Sequence, residues 1–253
     1  MKNKSSEPPR KAGAFTLIEL LVVITIIGIL AGLLLPVIIK AKIAAKEGMA
    51  RTEMANLTGA ISQYYVEYST LPASTNAVAG AANLPAMNPG GDFTFGTVVH
   101  GTGTPLDGYK VVSSSVIGQD VKTPGSQYAN VNSEVIAILT DAAYYPENGH
   151  TYNPQKTPLY SGRAAADTNS PGIGPDFVLR DPFGTPYIIT LDLNYDNKCV
   201  DPIWSQTLYP NAGVNNFSVS GSSMIWSFGQ LKTIALNQPP NGPINKYLLT
   251  SWK

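Results

Sequence analysis

Two histidines, one cysteine and a scatter of acids make up most of what this 253-residue chain offers for chemistry. His100 and His150 each lie in a glycine-rich neighbourhood and belong to no triad or metal motif, so both are expected as exposed loop residues. Cys199 stands beside Lys198, which would lower its thiol pKa if the site were exposed, but a strand-edge thiol is the ordinary expectation. A single cysteine forms no internal disulfide, and no Cys/His pattern has zinc spacing. Gly172, Ile173 and Gly174 form a GxG that lacks the third glycine and the strand-to-helix setting of a nucleotide loop. Asp192, Asn194 and Asp196 alternate as oxygen ligands do in calcium loops, yet no bidentate glutamate follows. Asn and Asp also cluster in hairpin turns, and a turn is the expected role. No catalytic residue, no metal ligand and no enzyme activity are assigned; calcium is the one cofactor these residues suggest.

The side chain that demands a role is Glu19. From Phe15 to Ile39 the sequence is FTLIELLVVITIIGILAGLLLPVII, with that single charge. The run exceeds the roughly 20 residues that span a bilayer as a helix, and it is too long for the apolar region of an ordinary secretory signal. A carboxylate inside such a segment costs about 2.5 to 3.5 kcal/mol on insertion scales, so it is expected to have a partner or a function. Lys2, Lys4, Arg10 and Lys11 precede the run and Lys40, Lys42, Lys46 and Arg51 follow it, which leaves orientation undecided by flanking charge.

Ala14, Phe15, Thr16, Leu17, Ile18 and Glu19, behind a short basic leader and ahead of an unbroken apolar segment, resemble the class III signal of type IV pilins and type II secretion pseudopilins. The resemblance implies that a prepilin peptidase cuts on the cytoplasmic side and methylates the new terminal amine. Carried onto this chain, the leader is residues 1–14, cleavage falls between Ala14 and Phe15, and Phe15 is N-methylated. The family usually has glycine before the cut; here Ala14 stands there, with Gly13 one residue earlier. Cleavage after Gly13 is the alternative, and it puts Glu19 one residue out of register, so the cut after Ala14 is preferred. Glu19 of one subunit would then pair with the new ammonium of its neighbour and set the axial register of an assembly. Gly28 and Pro36 fall where the family often has a helix glycine and a helix-loosening proline.

These residues need a scaffold. Ile43, Ala50, Met54, Leu57, Ile61, Tyr64 and Tyr68 recur at intervals of three, four or seven, the stripe of an amphipathic helix, with Lys46, Glu53, Asn56, Gln63 and Glu67 opposite. A helix from Phe15 to Tyr68 would be roughly 80 Å long, with local bending or melting expected at Pro36. Residues 15–39 form its transmembrane and assembly half, 40–70 its amphipathic half, and 71–253 the head. Residues 73–130 are rich in Gly, Ser, Thr, Ala and Pro and are expected to be an irregular insertion, with strand-like runs at FTFGTVV and YKVVSSSVI. Asn132 is placed as the cap of a second, short helix, SEVIAILTDA. DFVLR, PYIITLDL and FSVSGSSMIWSF carry the strongest strand signals, with turns at DPFGT and NYDNK, and an antiparallel meander over the helix stripe is the economical arrangement. The expected fold class is therefore α+β: a pilin-like long helix on a small antiparallel sheet.

The segment Asp181 to Asp192, DPFGTPYIITLD, is similar to the DPWGNPY motif of major pseudopilins of the type II secretion G subfamily, and it implies a folding role: a turn started by Asp181 and Pro182, eased by Gly184 and followed by Tyr187. Family members often bind calcium in a late loop after a Ser-x-Gly stretch; this chain has Trp226, Ser227, Phe228 and Gly229, but Gln230, Leu231 and Lys232 replace the acids. Lys plus Arg and Asp plus Glu both number 17, so no charge excess favours nucleic acid. The tyrosines, among them Tyr64, Tyr65, Tyr144 and Tyr145, suit packing and subunit interfaces.

The resemblance implies a structural subunit of a type II secretion pseudopilus, held single-pass in a bacterial inner membrane and then polymerised into a periplasmic or extracellular filament. Its partners would be other copies, other pseudopilins, the prepilin peptidase, and the inner-membrane assembly platform with its ATPase. A type IV pilus subunit is the alternative within the class. A membrane-anchored enzyme or binding domain is the rival outside it.

Overall fold

The computed structural model describes residues 15–83, 91–95, 98–99, 110–111, 132–141, 150–201, 218–231 and 248–252. The leader with Ala14, His100, Tyr144, Tyr145 and most of the expected insertion lie outside the described residues. Contacts divide the chain at residue 44 into two compact units. In the first, the apolar residues of α1 (Leu17–Tyr68) that precede Lys40 are exposed all round, because a surface with no polar face has no partner within one chain. The helix runs without a break through Pro36. One lost hydrogen bond is insufficient to interrupt a helix whose other turns are intact.

In the second unit, Ala50, Met54, Leu57, Ala60, Ile61 and Tyr64 of α1 are buried, as the spacing predicts. Ile43 and Tyr68, at the two ends of the stripe, are only half-buried. Two residues placed on the opposite face contact the head, Glu53 half-buried and Lys46 exposed. Glu53 receives a hydrogen bond from the Tyr187 hydroxyl at 2.6 Å, and the Lys46 ammonium lies 5.1 Å from the Phe183 ring centroid. Both sit at the margin of the stripe, where long side chains reach polar or aromatic partners beside the core.

The main sheet is antiparallel throughout, in the order β1 (Phe93–Phe95), β6 (Ile188–Leu191), β9 (Ser223–Ser227) and β10 (Leu249–Thr250). Phe93, Phe95, Ile189, Leu191, Ile225 and Leu249 join the buried stripe of α1 in one apolar core. Alternation sends Thr94, Ile188, Thr190, Met224 and Trp226 to the other face, where they too are buried. The expected meander is corrected in two ways. FTF of the insertion supplies an edge strand, and β10 supplies the other. DFVLR does not enter this sheet: Phe177 has φ 55°, and only β5 (Leu179–Arg180) is extended, paired with β4 (Gly172–Ile173). Likewise FSVSGSSMIWSF breaks at Gly221 (φ 137°), so that β8 (Val219–Ser220) pairs with β7 (Lys198–Cys199) while β9 belongs to the main sheet. A short pair, β2 (Val98–Val99) with β3 (Lys110–Val111), lies within the insertion.

Two further helices brace the core. α2 (Thr75–Asn83) is capped by the Ser74 hydroxyl, which accepts from the Ala77 amide at 3.2 Å, and α3 (Ser133–Thr140) is buried along most of its length. Asn132 precedes α3 as expected, but its side chain makes no capping bond. It donates to the Leu179 and Tyr187 carbonyls at 2.9 and 2.8 Å and accepts from the Leu179 amide at 2.9 Å. A fully buried amide can satisfy both its ends on two neighbouring segments, and that outweighs one cap.

Candidate functional site

The first site is the head of α1. Thr16 and Glu19 form a capping box: the Thr16 amide and hydroxyl donate to Glu19 Oε2 at 2.8 and 2.7 Å, and the Glu19 amide donates to Thr16 Oγ1 at 3.3 Å. The Thr-x-x-Glu spacing is visible in the sequence and signals this box by itself. Glu19 is thus partnered within its own chain, and the box lies in the first turn, one residue after Phe15, whose ring is exposed. Gly28 and Pro36 both fall inside α1, and a methyl group added at Gly28 would meet nothing within 4 Å.

The second site is the turn at Asp181. Its carboxylate is fully buried and gathers four donors: the Phe183 and Thr185 amides at 2.9 and 2.8 Å, the Thr185 hydroxyl at 2.8 Å and the Ser227 hydroxyl. Gly184, at φ 88°, closes the turn, and a Cβ there would stand 2.9 Å from the Asn169 carbonyl oxygen. Ser227, from the Ser-x-Gly stretch, clasps this turn and also accepts from the Gly229 amide at 3.0 Å. Burial raises the Asp181 carboxyl above its ordinary pKa, and the four hydrogen bonds oppose that shift. Among the described residues, every hydrogen-bond partner of the Asp181 carboxylate is a donor, and these bonds hold the turn to the strand that carries Ser227.

Beneath the turn, burial raises the Glu53 carboxyl from its ordinary 4.5; the Tyr187 hydrogen bond lowers it, Asp181 raises it further and Arg163 opposes. A carboxyl whose folded pKa is raised holds its proton longer in the folded chain, so its contribution to stability falls as pH rises through the window above 4.5. Glu53→Gln, which preserves the acceptor for Tyr187, is therefore expected to gain stability relative to the natural chain between pH 4.5 and 7. Urea midpoints at the two pH values measure it, and a pH-independent difference would contradict the shift.

The remaining candidates take structural roles. Asp192 accepts from the Asp196 and Asn197 amides, Asn194 from the Asp196 amide and Asp196 from the Lys198 amide, so the expected turn is present. Cys199 is buried in β7 and its thiol donates to the Gly221 carbonyl at 3.3 Å. Burial, reinforced by Asp92, Asp192, Asp196 and Asp201, pushes this thiol up, which removes the activated-thiol alternative. His150 is no bare loop residue: its Nδ1 lies 2.7 Å from Asp141, the left-handed residue that ends α3. Gly172 and Gly174 are glycines for steric reasons, since a Cβ would stand 2.3 Å from the Arg163 carbonyl oxygen and 2.4 Å from Asp176 Oδ1, respectively. Among the described residues no three His, Cys, Asp or Glu side chains are grouped to hold a metal ion.

A long helix with an apolar head and a small antiparallel sheet give this chain an α+β, pilin-like fold. Residues 9–35 match the family model described as the prokaryotic N-terminal methylation motif. The type II secretion system core protein G of Pseudomonas aeruginosa is 30% identical over 80 residues, which is 32% of this chain and 56% of that relative. The protein of that name from Aeromonas hydrophila is 31% identical over the same shares of both chains. Fimbrial protein EcpC of Eikenella corrodens is 40% identical over 97 residues, 36% of this chain and 56% of its own. The chain thus spans about half the length of these curated relatives. No solved structure matches it. Among the described residues, one helix is long and apolar enough to cross a membrane, consistent with anchoring there.

Proposed function

We propose that the chain is a structural subunit of a type II secretion pseudopilus, processed by prepilin peptidase between Ala14 and Phe15, N-methylated at Phe15 and polymerised from a bacterial inner membrane into a helical filament. The observation that carries this is the Thr16–Glu19 pair at the head of an exposed, membrane-length apolar helix, within the matched methylation motif. Cleavage creates an ammonium next to a carboxylate that hydrocarbon would otherwise reject, so the same charge that hinders insertion gains a partner on a neighbouring copy. The assembly platform and its ATPase supply the work, and the chain itself catalyses nothing. The two core protein G relatives and the Asp181 turn favour the pseudopilus. The likeness to a fimbrial protein supports a second reading, a type IV pilus subunit.

Mass analysis of the amino terminus from membranes with active peptidase is expected to find N-methyl-phenylalanine at Phe15. An intact Met1 there would refute processing, and a terminus at Ala14 would shift the register by one. Deletion of the gene separates the two readings: loss of protein secretion marks a pseudopilus, and loss of surface fibres with secretion intact marks a pilus.

A further inference from the structure

The β1–β6 register pairs Phe93 with Leu191, Thr94 with Thr190 and Phe95 with Ile189. One step further, Asp92 and Asp192 stand across from each other, on the face where the Thr94 and Thr190 hydroxyls meet at 2.9 Å. Both aspartates are buried, at 1% and 3% exposure. Like charges opposed in a ladder destabilise it, all the more away from water, and two carboxyls so placed relieve the conflict when one of them holds a proton. Hydrogen bonds decide which one. Asp192 spends its oxygens on the Asp196 and Asn197 amides at 3.1 and 2.8 Å, donors that favour the ionised form. Asp92 Oδ2 accepts from the Val200 amide at 2.6 Å, but Oδ1 is enclosed without a hydrogen-bond partner among the described residues. An enclosed neutral hydroxyl costs far less than an enclosed charge, so the proton belongs on Asp92. The groups around it agree. Burial, opposed by the Val200 amide and reinforced by the charges of Asp192 and Asp196, raises this carboxyl from its ordinary 3.8 to about 7. On either side of Val200, the Asp201 carboxylate accepts from the Thr190 hydroxyl and the Trp226 indole, and burial pushes the Cys199 thiol up and keeps it neutral. The Lys198 side chain is exposed.

We propose that the end of the β1–β6 pair is a proton latch: Asp92 is neutral when β1 is closed onto the sheet, and its ionisation lets this edge strand part from β6. The fold allows such a local opening. β1 is three residues long and is paired in the main sheet with β6 alone, so it can leave without breaking the β6–β9 or β9–β10 pairs. Asp92 is also its tie to the chain that follows β7, through the Val200 amide. In the closed edge the carboxyl keeps its proton up to about pH 7, whereas a solvated one loses it near 3.8. Closure is therefore strongest below the lower value, weakens about tenfold for each pH unit between the two, and levels off above 7.

The test uses the purified full chain in detergent micelles, with a chelator present throughout. Hydrogen exchange, read by mass after digestion, compares residues 91–95 with residues 223–227 of β9 at each pH, so that the chemical acceleration common to both cancels. Exchange of the β1 segment relative to β9 is expected to rise about a hundredfold between pH 5 and 7 and then to level off. Asp92→Asn, neutral and of the same shape, keeps an acceptor for the Val200 amide. Its relative exchange should be flat across the range, at or below the natural chain's value at pH 5. Asp196→Asn lies in the exposed turn and keeps an acceptor for the Lys198 amide, but removes one of the two charges acting on Asp92. Its exchange should level off at lower pH, which keeps the test decisive if Asp92→Asn does not fold. A natural chain whose relative exchange ignores pH would overturn the latch, as would an equal rise in Asp92→Asn or an Asp196→Asn profile superimposable on the natural one.

Discussion

Glu19→Val is expected to insert into the membrane at least as well as the natural chain and to be nearly absent from filaments. Valine removes a charge that costs about 2.5 to 3.5 kcal/mol in hydrocarbon, so insertion improves. Incorporation fails because the ammonium at Phe15 of the adjoining subunit then enters an apolar bundle alone. An unpaired buried charge costs about 3 to 5 kcal/mol, equivalent to a roughly 150- to 4000-fold loss of incorporation. The capping box adds an ambiguity, because Val also strips the Thr16 amide of its acceptor. Glu19→Gln resolves it. Glutamine preserves the box but carries no charge. If pairing between subunits is what Glu19 supplies, Gln is excluded from filaments almost as strongly as Val; if helix capping is what matters, Gln assembles normally. Membrane fractionation followed by quantification of sheared filaments measures both steps, and normal filaments from Glu19→Gln would refute the pairing.

The spine was legible because its signals are local. An apolar run and a stripe at helical spacing predict Phe15 to Tyr68, and the helix is Leu17–Tyr68. The cores of β6 and β9 were equally plain, as short runs of Ile, Leu, Met and Trp. What failed was pairing at a distance. Nothing near Leu249 and Thr250 announces an edge strand, since only the register with Trp226 and Ser227 makes them one. Asn132 has the sequence context of a cap, yet the two strand-end carbonyls that draw its amide away are some fifty residues downstream. At the candidate site the residue types were readable and their partners were not. Glu19 stood out by its cost in hydrocarbon, while the Thr16 box three residues away went unread although its spacing was in view. Asp92 carried no local signal at all, and its meaning comes only from the strand opposite.

The other large effect expected is in the head, at the buried pair of Asp176 and Arg180. The guanidinium grips the carboxylate with two bonds, of 2.9 and 2.5 Å, and both side chains are 2% exposed. Asp176→Ala is expected to destabilise the head by about 3 to 5 kcal/mol, because it leaves Arg180 charged and enclosed, with the Val178 carbonyl at 3.2 Å as its remaining guanidinium hydrogen bond among the described residues. Urea unfolding of the full chain in micelles, followed by tryptophan fluorescence, measures the loss. Replacing both partners together, Asp176→Leu with Arg180→Met, should recover most of it, since the desolvated charge disappears with its partner. A double variant as unstable as the single one would mean that packing, rather than an orphaned charge, sets the penalty. Gly174→Ala should act in the same direction as Asp176→Ala, because its Cβ would stand 2.9 Å from Arg180 Nη1. Arg180 immediately precedes Asp181, so a guanidinium that shifts also pulls on the turn whose carboxylate joins Thr185 to Ser227. The GxG is therefore required where it stands, as the space that lets an ion pair close against the backbone next to the Asp181 turn.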